Sequence, residues 1–302
     1  MKVWRIHIKT SIEAGFNRSD LLRFCQREGI IGVGWRDIQT KENSEEAIRR
    51  EAINCNDPTA ALKAMNAMRK MQIGDLIWTR LDSCYYLCRV TELWEKRDPK
   101  ELHYRFDISN YVGVEWIEIG YEQNVPGKVV SSFRPAATAQ SVSGVEDISM
   151  YIWNKYSKKE DYPIKRENIS FWSVLSAESI EELILLYLQV EKGYYIYSST
   201  VKYAFPIYEC EMVNKEGTKC YPQVKSGNVM LKANDYMGIF RHNPNAEVYL
   251  FTTSELYNTN DCTRIKYIYK DEIERFIRNH KELLPNVTYN WIDLCGFFAE
   301  RK

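Results

Sequence analysis

Two polar residues, Gln223 and Lys225, alternate with Val224 on a strand otherwise suited to a protein interior, and the spacing of the chain brings Glu209 to them. The segment reads Pro206-Ile-Tyr-Glu209-Cys-Glu211-Met-Val-Asn-Lys-Glu-Gly-Thr-Lys-Cys-Tyr-Pro-Gln223-Val-Lys225. Asn214-Lys215-Glu216-Gly217 has the composition of a turn between two strand-like runs, which predicts an antiparallel hairpin over Phe205–Val213 and Thr218–Lys225. With the turn centred on Glu216, Glu209 and Gln223 are equidistant from the centre and face each other. Opposed residues place their side chains on one face about 5 Å apart. Lys225 shares that face, two residues further along. A carboxylate, an amide oxygen and an ammonium at one point suit phosphodiester hydrolysis. Glu209 and Gln223 offer the hard oxygen ligands that Mg²⁺ (or Mn²⁺) takes. Such a metal polarises phosphate and lowers the pKa of bound water. Lys225 would orient that water or stabilise charge in the transition state. A slip of one residue would turn one strand's side chains to the other face and undo the convergence. Glu211, on the same face as Glu209, is the alternative ligand. A structural ion pair between Lys225 and Glu209 is the simpler reading of the same residues.

The elements that must hold this hairpin follow from periodicity. Ser179–Lys192 has the apolar spacing of an amphipathic helix, ended by Gly193. Tyr194–Ser198 reads as a strand, Val229–Met237 as a helix, Glu247–Ser254 as a buried strand and Asp271–Glu282 as a helix. Upstream, Val3–Lys9 alternates like a strand. Arg18–Glu28 is a helix between a cap at Asn17 or Ser19 and Gly29. Ile30–Trp35 is a short buried strand, and Pro58–Met71 a helix begun by proline. Leu76–Arg80 and Cys84–Leu93 form two strands around Leu81-Asp82-Ser83. Val112–Tyr121 is a further strand and Val145–Tyr156 a helix. The charged run Tyr156–Glu167, which carries Pro163, marks the boundary between domains 1–160 and 161–302.

Composition sets outer limits. At 302 residues the chain has room for about two domains of roughly 150 residues each. Lys+Arg and Asp+Glu are both 41, which argues against binding by bulk positive charge and leaves room for a local basic groove. With 45% hydrophobic and 27% charged residues, the chain is not of the disordered class. No apolar run is long enough to span a bilayer. Met1–Lys9 lacks the apolar centre of a signal peptide, so the expected location is the cytoplasm. Cys84 and Cys88 are the one close cysteine pair and lack the second pair that a zinc site wants. His7, His103, His242 and His280 share no ligand spacing, and Gly32-Val-Gly34 lacks the third glycine of a dinucleotide fingerprint.

Gln223-Val-Lys225 resembles the QxK form of the third motif of PD-(D/E)XK nucleases, with Glu209 in place of the usual aspartate. Glu182–Tyr194 resembles the first helix of Mrr-like restriction endonucleases, and Val248–Ser254 the strand after their QxK element. The resemblance spans about residues 176 to 256. It implies Glu182 as a further metal or water ligand, Glu209 and Gln223 as the main metal ligands and Lys225 as the catalytic lysine. Upstream, the Gly32-Val-Gly34-Trp35 strand end and Met71-Gln-Ile-Gly-Asp75-Leu-Ile-Trp78 resemble PUA-like modules of the EVE type, as does Gly127–Gln140. The resemblance implies a fold of α+β / α/β class: a PUA-like β-barrel-type domain with helices, then a restriction-endonuclease-like α/β domain. Such readers take a flipped base into an aromatic pocket, with extrusion offset by stacking. Trp35 and Trp78 are the pocket candidates, with Trp116 behind them. Arg80, Arg89, Lys128 and Arg134 are candidate phosphate contacts. The joint expectation is a modification-dependent DNA endonuclease, homodimeric because duplex cutting commonly needs two sites. The alternative is an inactive nuclease fold that binds modified DNA or RNA.

Overall fold

The computed structural model describes residues 1–40, 42, 44–94, 100–164, 169–202 and 207–299. It divides into two compact units, Met1–Ile169 and Ser170–Lys302, a later division than the 160/161 expected from composition. The chain is mixed α+β, with a sheet curled into a half-barrel and several helices. No helix among the described residues is long and apolar enough to cross a membrane.

In the first unit the order is β1 (Val3–Ile6), α1 (Arg18–Glu28), β2 (Ile30–Val33), α2 (Glu45–Ala52), α3 (Pro58–Lys70), β3 (Leu76–Leu81), β4 (Cys84–Glu92), α4 (Glu101–Arg105), β5 (Asn110–Gly120), α5 (Gly127–Ser132), β6 (Ala139–Ser141) and α6 (Glu146–Ser157). Among the described residues the strands form one six-stranded sheet in the order β2-β5-β4-β3-β1-β6. Its pairs are antiparallel except β1 with β3. Helix α1 begins where expected: the Asn17 side chain accepts from the Asp20 N–H, and Asp20 accepts in return from the Asn17 N–H, both at 3.0 Å. It ends at Gly29, whose φ of 64° is the left-handed cap that glycine takes without a Cβ penalty.

The Gly-Asp dipeptide before β3 has a mechanical role. Gly74 turns the chain at φ 85°. Asp75 is buried and accepts from the Lys2 N–H and the Trp4 indole, both at 2.8 Å, and from the Gln72 N–H at 3.1 Å. One carboxylate thus staples the start of β1 to the start of β3. Both faces of this sheet are covered. Trp4, Ile6 and Ile8 face a core shared with α1 and α3. On the opposite face Trp78 is fully buried and its indole donates to Ser149 of α6 at 3.0 Å.

In the second unit α7 (Phe171–Val174) and α8 (Ala177–Val190) precede β7 (Tyr195–Ile196), β8 (Met212–Val213), β9 (Lys219–Lys225), β10 (Leu231–Lys232), α9 (Ile239–His242), β11 (Glu247–Thr252), β12 (Tyr257–Asn258), β13 (Ile265–Tyr267), α10 (Lys270–Asn279) and α11 (Asn286–Leu294). The main sheet runs β13-β11-β9-β8-β7. β7, β8 and β9 are an antiparallel meander, while β9, β11 and β13 are parallel. The expected hairpin forms in the expected register: Met212 pairs with Cys220 and Val213 with Lys219. Asn214 fixes the turn, its side chain accepting from the N–H of Glu216 (3.1 Å) and of Thr218 (2.8 Å), with Gly217 at φ 82°. The first strand is shorter than expected, and residues 205–206 of the expected Phe205–Val213 run lie outside the described residues. Val229–Met237 is not a helix. Leu231 and Lys232 pair in parallel with Tyr257 and Asn258, and Ala233–Tyr236 is a 3₁₀ turn.

Candidate functional site

Glu209 lies just before β8, and its N–H donates to the Pro222 carbonyl at 2.8 Å, which locks it against β9. The side chains then meet as the register requires. The Gln223 amide NH₂ donates to Glu209 Oε1. Lys225 Nζ lies 3.3 Å from the same oxygen, and the Val224 N–H donates to it at 3.3 Å. Gln223 is only 3% exposed, whereas the Lys225 side chain is 45% exposed and that of Glu209 20%. The cluster therefore has a buried floor and an open front. It stands at the carboxyl end of parallel strands β9 and β11, where Lys225 pairs with Thr252. Carboxyl ends of parallel strands are where open α/β sheets bind ligands.

Of the two glutamates on this strand, Glu209 meets Gln223 and Lys225, while Glu211 pairs with Lys219 at 3.3 Å. On α8 the resemblance implies Glu182, and its neighbour Glu181 differs from it in burial and surroundings. Glu182 is exposed, opposite the stripe of Ile180, Leu183, Ile184, Tyr187 and Leu188 that packs the helix down. Glu181, on the shoulder of that stripe, is the one that feels the cluster. Burial pushes its carboxyl up, the charges of Glu209 and Glu178 push the same way, and Lys225 opposes them. The helical wheel held this information: at about 100° per residue, Glu182 points away from the core and Glu181 lies at its edge. Tyr236 also lies within electrostatic reach of Glu209, with its hydroxyl pKa raised to about 12, mainly by burial. Nothing in the sequence marked it.

Gln223 presents its NH₂, not its oxygen, to Glu209. In this arrangement it positions the carboxylate. Among the described residues no three His, Cys, Asp or Glu side chains cluster to hold a metal ion unaided. Glu209 and Glu181, whose carboxyl is pushed up by burial and by the neighbouring Glu209 and Glu178 charges, nevertheless fit a hard dication. Mg²⁺ commonly binds through one or two carboxylates and keeps several waters.

In the first unit the two tryptophan candidates separate. Trp78 is core, fully buried with its indole paired to Ser149, and no base could reach it. Trp116 is half-buried, donates to the Ile30 carbonyl at 3.2 Å and packs on the core. Trp35 alone lines a cavity of about 320 Å³, together with Lys9, Thr10, Arg36, Asp37 and Asp107. That volume is at the small end of the roughly 300–1,000 Å³ typical of organic-ligand pockets. Trp35 has φ 58° and Asp107 φ 50°, left-handed conformations that cost a bulky residue energy. Asn110 supports the first. It is fully buried and donates to the carbonyls of Gly34 (2.8 Å) and Trp35 (2.9 Å), while Trp94 donates to its oxygen at 3.2 Å. Gly34 is required here, because a Cβ would overlap the Asp107 carboxylate. Burial raises the Asp107 pKa, and Asp37 adds to this, while the Ser11 N–H and the Arg36 charge lower it. Of the expected phosphate contacts, Arg89 is engaged elsewhere, 3.9 Å from Glu115 and over the Tyr162 ring. Lys128 and Arg134 are exposed.

No family model matches the chain, and neither a curated protein nor a solved structure is found similar to it.

Proposed function

We propose that this chain is a metal-dependent endonuclease of the PD-(D/E)XK kind, guided to DNA by a PUA-like reader of a modified base. The observation that carries the reading is the meeting of Gln223, Lys225 and the Val224 N–H on one oxygen of Glu209, at the carboxyl end of β9. Glu209 and Glu181 would hold Mg²⁺ or Mn²⁺. When bound, that ion supplies Lewis-acid polarisation of the scissile phosphate and a water of lowered pKa. The protein groups have separate tasks. Gln223 and the Val224 N–H hold the Glu209 carboxylate through one of its two oxygens. Lys225, half-exposed at the open front, offers N–H donors to the attacking water or to the phosphoryl oxygens as their charge grows. In the reader, Trp35 stacks on an extruded base while Asp107 and Thr10 offer groups to its edge. Cutting both strands calls for two such sites, hence a homodimer.

The second reading is that the chain binds modified DNA or RNA and does not cut. Saturation of Glu209 Oε1 by three donors favours it, since a satisfied structural ion pair has the same appearance. One experiment separates the two. Modified and unmodified duplexes are incubated with the protein in Mg²⁺ and in EDTA, and binding and cleavage are scored apart. Cutting in Mg²⁺ alone supports the nuclease; binding without cutting in either supports the second reading.

A further inference from the structure

The curled sheet carries a second cavity, beside the one that Trp35 lines and unlike it in charge. It encloses about 220 Å³ and is lined by His7, Lys9, Arg18, Arg80, Leu81 and Asp82, with Ile8. The sequence places these cations together by alternation. Arg5, His7 and Lys9 project from one face at the β1 end, and Trp4, Ile6 and Ile8 from the other. The parallel register of β1 with β3, Arg5 beside Trp78, carries His7 to the level of Arg80. Arg18 arrives as the first residue of α1.

The charges here are uncompensated. None of Arg5, Lys9, Arg18 and Arg80 makes an ion pair with a carboxylate among the described residues. Asp82, exposed on the β3–β4 turn, is the one acid in the lining. Arg5 does not line the cavity; it shares the Phe133 ring with Arg80, which does. Arg5 is fully buried, donates through Nη1 to the Ala137 carbonyl, and leaves Nε and Nη2 without partners. The Phe133 ring takes both guanidiniums, with Arg5 centred 5.4 Å and Arg80 5.3 Å from it. Arg80 also donates to the Tyr85 hydroxyl at 3.2 Å, which holds its guanidinium in place. Fixed guanidiniums in a concave site suit phosphate.

We infer that this cavity is a phosphate site, and that Lys9, which lines both cavities, joins it to the Trp35 pocket so that one nucleotide places its base in the larger and a backbone phosphate in the smaller. This rests on the base-reading role proposed for Trp35. The contact is with the backbone and is indifferent to sequence.

The test uses full-length protein and a fluorescent DNA duplex with one modified cytosine, with Ca²⁺ in place of Mg²⁺ to suppress cutting. Arg18→Gln and Lys9→Gln change exposed residues; Arg80→Gln is included with its melting temperature as a folding control. Each variant is expected to bind modified and unmodified duplex about fivefold more weakly near 0.15 M salt, with a salt slope smaller by about one unit. Trp35→Ala should instead change the ratio between the two duplexes. A neutral methylphosphonate is then walked along the strand next to the modified base. One position should weaken wild-type binding and have no effect on Arg80→Gln. Inorganic phosphate as competitor reports whether the cavity takes the free anion as well. It should displace only at concentrations far above the duplex. Full competition at micromolar phosphate would assign the cavity to a free phosphate ligand and overturn the backbone role. If duplex binds and discriminates the modified base, but variants keep the wild-type slope and no methylphosphonate position distinguishes them, the phosphate site is wrong and the base pocket stands. If no duplex binds, the reader itself fails and this site with it.

Discussion

Lys225 is the residue whose loss should separate chemistry from structure. Its side chain is half-exposed and its one acidic partner among the described residues is Glu209, so Lys225→Ala should fold, bind DNA as the wild type does, and lose about 100-fold or more in cleavage. Glu181→Gln should do the same, and Glu182→Gln should cut normally, because Glu181 is half-buried within electrostatic reach of Glu209 and Lys225 and Glu182 is exposed. Steady-state cleavage of one duplex by the three variants checks this. His7 makes a different prediction. Burial, with help from the Arg5 and Lys9 charges, holds its imidazole pKa down to about 4. The unfolded chain therefore takes up its proton near pH 6.5 while the folded chain does not. The stability this gives is whole above about pH 6.5 and is lost as pH falls towards 4, by on the order of 2–3 kcal/mol at most. Denaturant unfolding at pH 8 and pH 5 should show that loss, and His7→Gln should show less of it. The chemical residues of the hairpin were legible because strand alternation is rigid once a turn is fixed. Trp78 was misjudged because covering of the second sheet face by α6, through Ser149, leaves no mark in the local pattern of β3.

Each hairpin or staple here rests on a few residues that the chain could hardly spare. Asp75 accepts three hydrogen bonds, two of which tie the start of β1 to β3 across some 70 positions in sequence. Asp75→Ala leaves the Trp4 indole without its acceptor and should cost about 3 kcal/mol, read as a lower denaturation midpoint. Gly217→Ala puts a Cβ on a left-handed residue in the β8–β9 turn and should cost about 1–2 kcal/mol. If register matters to the site as argued, its cleavage should fall along with its stability. Elements with strong local signals, such as α1 with its Asn17 box and Gly29 stop, were readable to the residue. Helix α2 was not: EEAIRREA buries only Ala47, Ile48 and Ala52, too narrow a stripe to stand out from a charged loop. The stretch at Val229–Met237 was read as helix because its apolar residues cluster. Pairing of Leu231 with Tyr257, set by the distant β12, overrode that preference.

At the level of the whole chain, the account assigns one task to each unit: recognition of the base and its phosphate to Met1–Ile169, and hydrolysis to Ser170–Lys302. Net charge of zero over 302 residues fits such a division, since affinity would come from one basic cavity and not from the surface at large. The composition announced two units but not their tasks; those came from four residues at one strand end and from one strained tryptophan. The most direct measurement is cleavage of a plasmid carrying modified cytosines in Mg²⁺ by wild type and by Lys225→Ala, with DNA binding measured alongside. The account predicts that the wild type converts the plasmid to nicked and linear forms and that the variant binds equally but leaves it intact. Equal cutting by both, or tight binding by a wild type that cuts nothing in either Mg²⁺ or Mn²⁺, would contradict it.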